Sequence, residues 1–261
     1  MKNRTLLFGE GLFETFRVYQ GRKLAFVDDH LARMADGCSF FSLPFSGRDA
    51  EEALKSALAE IPPDTEARLR LNLISYGNKR AEETAFQTTW EPLQEMGTWQ
   101  TQGVELGWAL FQKFSHSPVV RFKTTSYMEN VFVFSWAREQ GFFDALFTNE
   151  RGEITEGSIS NVFFLSDGEI VTPPTDAGIL PGVTRKQIIG VARELNYSVV
   201  ERTVTPAELE RFDGAFVTNA IIEILPVHTV KDIKYKFPEL IDALRDGYRK
   251  RLETSLFPTS R

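Results

Sequence analysis

Three short stretches of the chain carry side chains that could act together on a reactive small molecule. The first, Arg121-Phe122-Lys123-Thr124-Thr125-Ser126-Tyr127, contains a lysine that follows the apolar residues Val119 and Val120. An amine attacks an aldehyde only when it is neutral, and apolar surroundings favour the neutral form of a lysine. Lys123 is therefore a candidate for a lysine that forms a Schiff base. The alternative is a lysine at the end of a strand whose ammonium group reaches solvent.

The second stretch places a carboxylate between a turn and an apolar strand. Glu156 lies in Glu153-Ile154-Thr155-Glu156-Gly157-Ser158-Ile159-Ser160-Asn161, just before Val162-Phe163-Phe164. A carboxylate in such a position can keep the ring nitrogen of a bound group protonated. The alternative is a glutamate at a hairpin end that faces water, and this interpretation suits Glu153 better than Glu156.

The third stretch indicates a helix start that could bind an anion. Leu180-Pro181-Gly182 precedes an amphipathic pattern that begins at Val183 and Thr184. Free backbone N–H groups and the helix dipole can bind a phosphate there, and the Thr184 hydroxyl would add a donor. A simple N-cap is the alternative, and it uses the same geometry. Arg33, on another predicted helix, would supply the countercharge unless it is an ordinary surface arginine.

These three features match one cofactor. A lysine for an aldehyde, a carboxylate for a pyridine nitrogen and a phosphate-binding helix start are together what pyridoxal 5'-phosphate requires of a protein. The sequence therefore predicts a pyridoxal-phosphate enzyme in which Lys123 is the catalytic residue. The other cofactor contacts predicted so far are Arg33, Glu156, Val183 and Thr184.

The composition fits a globular enzyme and argues against several other classes. Of the 261 residues 42% are apolar, which is enough for one large core or two modest ones. The formal net charge of -6 makes nucleic acid and anionic membrane surfaces unlikely partners. No apolar run approaches the ~20 residues of a membrane span, and the single cysteine, Cys38, fits a reducing compartment, so we expect a cytoplasmic protein. The three histidines are far apart in sequence, so no metal site is predicted.

The elements that must position these residues begin with a predicted hairpin. Residues 12–19 alternate apolar and polar side chains, and residues 23–26 follow a Gln-Gly turn, which is the pattern of two paired strands. Phe13, Thr15 and Arg17 would share one face of the first strand.

Two helices and a third strand are predicted after the hairpin. Asp28-Asp29 offers an N-cap for the helix that carries Arg33, and a second helix covers about 48–61. Residues 68–73 alternate, with Arg68, Arg70 and Asn72 on one side and three leucines on the other. One side of this strand should therefore face a core.

A polar segment divides the chain into two predicted domains. Before it, residues 77–97 are polar and irregular and residues 104–111 form a strand. After it, the order from Val120 is strand, helix, hairpin, helix and strand, with one buried strand over 215–224 and a last helix over 237–255. We therefore predict a small α/β domain over 1–112, a linker over 113–118 and a large cofactor-binding domain over 119–261.

The order of these motifs resembles the fold-type IV (class IV aminotransferase-like) pyridoxal-phosphate family over nearly the whole chain. Gly9-Glu10-Gly11-Leu12-Phe13-Glu14-Thr15 is similar to the family's opening strand, and His30-Leu31-Ala32-Arg33 is similar to its phosphate-arginine helix. The resemblance implies an α/β (α+β) fold of two domains, like that of D-amino-acid aminotransferase, with the cofactor in the cleft between them. It also implies a small-molecule substrate and a homodimer in which a loop of the partner helps to close the substrate site.

The resemblance also assigns roles to individual residues. Lys123 is implied to hold the cofactor as a Schiff base and to move protons at the substrate carbon, while Glu156 pairs with the pyridine nitrogen. Arg33 is implied to bind the phosphate, and Leu180 to pack against the cofactor ring. The stretch from Phe216 to Val227 resembles the family's last active-site strand and loop, which adds Asn219 and Ala220 to the cofactor contacts.

Several departures from the family's aminotransferases favour its 4-amino-4-deoxychorismate lyases. Ala220 stands where aminotransferases often have a threonine, and the Thr218-Asn219 pair and the Lys123 motif resemble the lyases. Phe13 replaces a tyrosine that D-amino-acid aminotransferases use near the substrate carboxylate. We therefore expect a lyase that forms 4-aminobenzoate and pyruvate for folate synthesis; the alternatives are a branched-chain or D-amino-acid aminotransferase and, more remotely, a non-catalytic binding protein. The predicted substrate contacts are Phe13, Thr15, Arg70, Tyr76, Arg80, Tyr127 and Thr218.

Overall fold

The chain forms two units, each built around its own β-sheet, in a computed structural model that describes residues 1–94 and 96–256. The first unit comprises the described residues of Met1–Glu95, Phe122–Tyr127 and Leu252–Arg261, and the second those of Met96–Arg121 and Met128–Arg251. Lys123 belongs to the first unit, although the segments on both sides of it belong to the second. The predicted domains are continuous in sequence, and that division stays a prediction.

The first unit contains an antiparallel sheet of five strands and three helices. The strands are β1 (Lys2–Asn3), β2 (Gly11–Tyr19), β3 (Lys23–Leu24), β4 (Ala67–Gly77) and β5 (Glu83–Pro92), and the helices are α1 (Arg4–Phe8), α2 (Val27–Phe41) and α3 (Gly47–Glu60). The strands pair in the order β1-β4-β2-β3, and β5 pairs with β4. The predicted first hairpin is confirmed by β2 and β3.

Alternation along β2 and β4 gives the first sheet a core face and a polar face. Thr15 lies opposite Arg70 and Phe13 opposite Asn72 in the antiparallel register, so the face predicted for Phe13, Thr15 and Arg17 coincides with the one predicted for Arg68, Arg70 and Asn72. The core-facing residues, which are buried together with side chains of α2 and α3, are Leu12, Phe16, Leu69, Leu71 and Leu73.

The second unit contains a mixed sheet. From Met96 onward the strands are β6 (Val104–Trp108), β7 (Asp144–Thr148), β8 (Ile154–Gly157), β9 (Asn161–Ser166), β10 (Glu169–Thr172), β11 (Ser198–Glu201), β12 (Gly214–Asn219), β13 (Glu223–Val230) and β14 (Ile233–Lys234). The helices are α4 (Trp99–Gln102), α5 (Pro118–Arg121), α6 (Met128–Glu139), α7 (Val183–Glu194) and α8 (Leu240–Ser255), with short 3-10 helices at Thr175–Ala177 and Pro206–Arg211.

The order of the second sheet is β11-β10-β9-β12-β13-β6-β7-β8, and β14 pairs with β13. The pairs β10–β11, β13–β6 and β6–β7 are parallel. The pairs β9–β10, β9–β12, β12–β13, β13–β14 and β7–β8 are antiparallel. This mixture of helices with parallel and antiparallel strands confirms the predicted α/β (α+β) fold class.

Two predicted elements are wrong in ways that affect the sheets. Residues 77–97 are not irregular throughout, because β5 occupies Glu83–Pro92. No side chain of β5 is fully buried, so it lacks the apolar alternation that reveals a strand. The single strand predicted over 215–224 is two strands, because Ala220-Ile221-Ile222 forms a turn between β12 and β13.

Two helix starts also differ from the predictions. α2 begins at Val27 with Phe26 as its N-cap, so Asp28 and Asp29 lie in the first turn, where carboxylates interact favourably with the helix dipole. The strand predicted from Val120 is absent, because Pro118–Arg121 forms α5. Within the described ranges, no helix combines the length and apolar character that a membrane crossing requires.

Candidate active site

Lys123 lies in a short segment that is hydrogen-bonded to the start of β2. The backbone N–H of Phe13 donates to Lys123 O at 2.8 Å, and that of Thr125 donates to Gly11 O at 2.9 Å. Gly9, with φ +68°, permits this close approach, since a Cβ there would lie 2.3 Å from Ser126 Oγ. The backbone of the lysine is therefore held beside β2, and its role as the Schiff-base lysine stays a prediction.

The nearest rings to the Lys123 ammonium come from two residues predicted to contact substrate. Nζ of Lys123 lies 4.5 Å from the ring centroid of Phe13 and 5.5 Å from that of Tyr127. The two rings meet edge to face at 5.1 Å. Val119, which was expected to shield the lysine, is 42% exposed. The faces of these aromatic rings attract a cation, and they are not the aliphatic neighbours that the sequence suggested.

A second cation, Arg70, shares the Phe13 ring. Its guanidinium carbon lies 3.6 Å from the ring centroid, and its Nε donates to Asn72 Oδ1 at 2.8 Å. Burial lowers the pKa of Arg70, Tyr127 opposes that change, and the neighbouring charge of Arg68 adds to it. No carboxylate in the described parts of the chain forms an ion pair with Arg70. The structure therefore brings Phe13, Tyr127 and a guanidinium without a carboxylate partner to Lys123.

The remaining predicted substrate residues of this unit are dispersed. Thr15 lies directly opposite Arg70 in the sheet. Tyr76 pairs with Asn3 near the end of β4, and Arg80 is exposed in the turn between β4 and β5. Of these three, only Thr15 adjoins the cluster around Phe13, and substrate contacts by Tyr76 and Arg80 stay predictions.

Arg33 is held in a buried ion pair with Glu14 of β2. Its Nε donates to Glu14 Oε1 at 2.8 Å and its Nη2 to Oε2 at 2.6 Å, and the arginine side chain is only 11% exposed. Burial by itself would raise the pKa of Glu14, but the charge of Arg33 and the hydrogen bond from His30 outweigh it and lower the pKa to about 2. Arg33 is thus a fixed, mostly buried guanidinium and not a surface residue; its contact with a phosphate stays a prediction.

His30 completes this network. Its Nδ1 lies 2.7 Å from Glu14 Oε2. Because an ionised carboxylate can only accept hydrogen bonds, Nδ1 must carry the proton. Burial lowers the pKa of His30, Glu14 opposes this, and the charges of Arg33 and Lys123 lower it further. A neutral His30 therefore helps to orient the carboxylate that orients Arg33.

In the second unit, Glu156 at the end of β8 is buried and has a different partner on each oxygen. Its Oε1 accepts from Lys113 Nζ at 2.8 Å, and its Oε2 accepts from Asn161 Nδ2 at 3.1 Å and from Leu180 N at 3.0 Å. The alternative of a solvent-facing hairpin glutamate is wrong, since the side chain is 7% exposed. Glu153 forms an ion pair with Arg151 and is partly exposed, in agreement with the plainer role expected for it.

The segment before α7 is tied to the same carboxylate. Asn161 also donates to Leu180 O at 3.0 Å, so the two backbone polar groups of Leu180 are bonded to Asn161 and Glu156. Gly182 lies directly beside Asn161, because a Cβ on it would meet Asn161 Oδ1 at 2.0 Å. The second and third sequence motifs are thus one hydrogen-bonded assembly.

The start of α7 has no side-chain cap. Gly182 is its N-cap and makes no side-chain hydrogen bond, while Val183 and Thr184 are the first two helical residues and are both buried. Gly182, and not Thr184, is therefore the N-cap, and phosphate binding at this helix start stays a prediction. The backbone N–H groups of an uncapped first turn are suited to an anion.

The turn between β12 and β13 is built on Asn219. Its Oδ1 accepts from Ile221 N and Ile222 N, both at 2.9 Å, and its Nδ2 donates to Ile159 O at 3.0 Å. Ala220 lies within this turn. Thr218, directly opposite Asn161 in the sheet, is 1% exposed, and its hydroxyl has no hydrogen-bond partner within the described residues.

These features of the second unit fit a phosphate-bearing pyridine cofactor. Glu156 offers an oriented carboxylate, α7 offers uncapped N–H groups, and the Thr218 hydroxyl is buried without a partner, which a bound polar group would correct. In residues 1–94 and 96–256 no cluster of His, Cys, Asp and Glu could hold a metal ion.

Three residues of the site had no predicted role. The sequence contains a signal for Glu14, because a carboxylate on the core side of a strand needs a buried partner. Two residues three positions apart on a helix share a face and can supply that partner. Asn161 also had a signal, as a polar residue that opens an apolar strand. Nothing in the sequence indicates a role for Lys113, because it lies in the segment 113–118, whose polar composition predicts a linker. The structure nevertheless buries its side chain.

Comparison with known proteins decides the family. Residues 11–230 match the family described as amino-transferase class IV. The chain belongs to this family. Class IV aminotransferases and the related lyases depend on pyridoxal phosphate, so this chain is a pyridoxal-phosphate-dependent enzyme.

Relatives within the class IV aminotransferases include both reaction types. The D-alanine aminotransferase of Bacillus licheniformis is 28% identical over 241 residues, which cover 88% of this chain and 82% of that protein. The aminodeoxychorismate lyase of Bacillus subtilis (strain 168) is 27% identical over 264 residues, which cover 96% of this chain and 88% of that protein. The branched-chain aminotransferase of Thermoproteus uzoniensis, solved with norvaline, shares the fold with a TM-score of 0.87 at 22% identity over 99% of this chain and 93% of that one.

Proposed function

We propose that this enzyme is a 4-amino-4-deoxychorismate lyase, which releases 4-aminobenzoate and pyruvate. The observation that carries the proposal is the turn between β12 and β13. The Asn219 side chain is bonded to the backbone of that turn, and Ala220 has no hydroxyl to offer a ligand. The Thr218-Asn219 pair resembles the lyases, Ala220 stands where aminotransferases often have a threonine, and the lyase of Bacillus subtilis aligns with 96% of the chain.

The proposed reaction uses Lys123 as its only proton-transfer residue. Bound pyridoxal phosphate would supply an aldehyde that takes up the substrate amino group and a ring that accepts electrons from the adjacent carbon. Lys123, once released from the aldehyde, removes the proton from the carbon that bears the amino group. It then returns a proton to the departing enolpyruvyl carbon, which yields pyruvate. Loss of this group leaves an aromatic ring, and Lys123 would then displace the amine of 4-aminobenzoate from the aldehyde, so no second substrate is needed.

The other residues bind and orient in this proposal. Glu156 holds the proton on the pyridine nitrogen, and Arg33 with Val183 and Thr184 binds the phosphate. Arg70 binds a substrate carboxylate beside Phe13 and Tyr127, because its guanidinium is already desolvated and has no carboxylate of its own in the described structure. The further cofactor contacts are Leu180, Asn219 and Ala220.

Supplying the holoenzyme with 4-amino-4-deoxychorismate tests the proposal. We expect 4-aminobenzoate and pyruvate in equal amounts without any added keto acid, and we expect Lys123→Gln to abolish their release. Lys55→Gln is the matched control, since Lys55 is a half-exposed lysine paired with Glu51 on α3. Turnover by the Lys123 variant at the rate of the Lys55 variant would contradict the assignment of Lys123.

Arg70 also favours a second candidate, an amino-acid aminotransferase. An aminotransferase must hold the carboxylate of an amino acid and then of a keto acid, and a desolvated guanidinium beside Lys123 suits that task. A panel of L- and D-amino acids with 2-oxoglutarate or pyruvate as acceptor separates the candidates. Efficient transamination without 4-aminobenzoate would overturn the lyase proposal and retain the family; no reaction in either assay would favour a binding protein.

We further propose that the enzyme is a homodimer, as the family resemblance implies. A group of apolar side chains on the second unit supports this proposal, because large exposed apolar patches mark interaction surfaces. Three of them, Met128, Val131 and Phe132, are on α6 and are 83%, 55% and 54% exposed. Phe111 stacks on Phe132 with 6.5 Å between ring centroids, and it extends the patch beyond the helix.

A further inference from the structure

Lys113 forms a buried ion pair with Glu156. The two side chains are 3% and 7% exposed, and Nζ lies 2.8 Å from Oε1. The ammonium group also lies 4.4 Å from the ring centroid of Phe147, and the backbone N–H of Lys113 donates to Thr148 O at 2.8 Å. Both ends of the lysine are therefore fixed by β7.

The carboxylate of Glu156 is oriented by three donors of different strength. Lys113 supplies a charge-assisted bond to Oε1, whereas Asn161 and the Leu180 amide supply neutral bonds to Oε2. The neutral donors fix the direction of the carboxylate. Lys113 brings a positive charge into contact with the carboxylate, so its ammonium stabilises the negative charge in this buried position.

A buried carboxylate that faces a pyridine nitrogen can share one proton with it in two ways. The proton lies on nitrogen beside a carboxylate, or on oxygen beside a neutral pyridine. Burial favours the second form, because desolvation penalises separated charges. A cation in contact with the carboxylate favours the first form. It attracts the adjacent carboxylate strongly and repels the protonated pyridine nitrogen only weakly, because the nitrogen is farther away.

We propose that Lys113 is a positioning residue that acts through Glu156: its ammonium keeps the negative charge on the carboxylate and thereby keeps the proton on the pyridine nitrogen of the bound cofactor. This inference rests on the role proposed for Glu156 and adds the residue that makes the role possible. Lys113 itself touches neither cofactor nor substrate in this proposal.

The test reads the proton directly and does not use turnover. Holoenzyme is reconstituted with pyridoxal phosphate whose ring nitrogen carries the heavy isotope, and the nitrogen NMR resonance is recorded at constant pH. We expect the natural protein to show the resonance of a protonated pyridine. Lys113→Met should shift it toward that of neutral pyridine, while Lys113→Arg, which keeps the charge, should restore it. Lys55→Met, which removes a half-exposed lysine of α3, is the matched control and should cause no shift.

The double variant Lys113→Met with Glu156→Gln shows whether the lysine acts through the glutamate. Removal of both partners of a buried ion pair is better tolerated than removal of one, so this variant remains informative if Lys113→Met fails to fold. We expect its resonance to coincide with that of Glu156→Gln alone. A Lys113→Met resonance equal to that of the natural protein, or a double variant that differs from Glu156→Gln, would overturn the proposal. A Glu156→Gln resonance equal to the natural one would instead overturn the role of Glu156 itself.

Discussion

Glu14 is a carboxylate on the core face of β2, and its partners make that position stable. Arg33 donates two hydrogen bonds to it and the neutral His30 ring donates a third. Because the pKa of Glu14 falls from 4.5 to about 2 in the folded chain, the folded state binds this proton less tightly than the unfolded state does. The carboxylate therefore contributes stability above about pH 4.5, and this contribution disappears as the pH falls toward 2.

We predict that Glu14→Gln lowers the free energy of unfolding most at neutral pH. A change of pKa from 4.5 to about 2 corresponds to roughly 3 kcal/mol. Urea unfolding followed by tryptophan fluorescence between pH 3 and 7 should give a difference between variant and natural protein that narrows as the pH falls. Glu52→Gln, in an exposed pair with Arg48, is the control and should change stability by less than about 0.5 kcal/mol at every pH. Parallel pH curves for Glu14→Gln and the natural protein would contradict the ion-pair account.

Lys123 lies beside the rings of Phe13 and Tyr127, Lys113 lies beside that of Phe147, and the two lysines can be distinguished chemically. We predict that borohydride reduction of the holoenzyme attaches the cofactor to Lys123. Lys113 should stay unlabelled, because its amine is engaged with the Glu156 carboxylate at 2.8 Å and is buried. Peptide mapping by mass spectrometry identifies the labelled residue. A label on Lys113, or on any other lysine, would refute the assignment of Lys123.

At the scale of elements, the Leu180–Gly182 segment joins α7 to Glu156 through Asn161. Gly182 has an ordinary φ of -65°, so a substitution there tests space and not backbone strain. We predict that Gly182→Ala weakens cofactor binding and lowers stability by about 1–3 kcal/mol, as overpacking usually does. The new Cβ would displace Asn161, which it would meet at 2.0 Å, and would break the bonds of Asn161 to Glu156 and Leu180.

Fluorescence titration of the apoenzyme with pyridoxal phosphate and thermal unfolding measure these two effects. Gly47→Ala is the control, because its Cβ would meet only Phe45 at 3.8 Å at the start of α3. Alanine is the better helix former, so this variant should be neutral or more stable by up to about 1 kcal/mol. Equal cofactor affinity in both alanine variants would show that the Asn161 contacts do not support the cofactor site.

Local pattern explains which elements could be predicted from the sequence. β2, β4 and α7 each bury one regular face, so their periodicity is visible in the chain. No side chain of β5 is fully buried, although Phe86 and Trp90 pack against the core, and its signal is its β-branched and aromatic content alone. The composition of Ala220-Ile221-Ile222 does not predict a turn, because all three residues are apolar. The turn is formed by Asx-type hydrogen bonds to the Asn219 side chain, which require one polar residue and not a polar stretch.

The residues of the candidate site also differ in whether the sequence predicts them. Lys123, Glu156 and the start of α7 could be predicted because each carries its chemistry within a few residues. The Lys113–Glu156 pair joins residues 43 positions apart, and the partner of Glu14 lies on another element. The first pair depends on how the segment before α5 is placed against β8, and the second on how α2 is placed against β2, which short spacings in the chain do not encode.

At the scale of the whole molecule, α6 is unusual because it is apolar on two faces. Val133 and Ala137 are buried against Phe147, while Met128, Val131 and Phe132 are exposed. A helix of a globular protein normally presents polar residues on the face opposite its core. The exposed face of α6 is continued by Phe111 of the second unit, which is 36% exposed and stacks on Phe132. We take a second copy of the chain as the partner that covers this surface.

We predict that Phe132→Glu converts the dimer to a monomer at micromolar concentration, because a charge would be desolvated at the centre of the apolar contact. Sedimentation equilibrium measures the change directly. Gln140→Glu adds the same charge at an exposed polar position just after α6 and should leave the mass of the particle unchanged. The structure gives a reason to expect that the Phe132 variant still folds: Phe132 is 54% exposed and its stacking partner Phe111 is 36% exposed, so the substitution opens no cavity in the core formed by Val133, Ala137 and Phe147. If the Phe132 variant sediments as a dimer, or if the natural protein sediments as a monomer, this face of α6 is not the dimer interface.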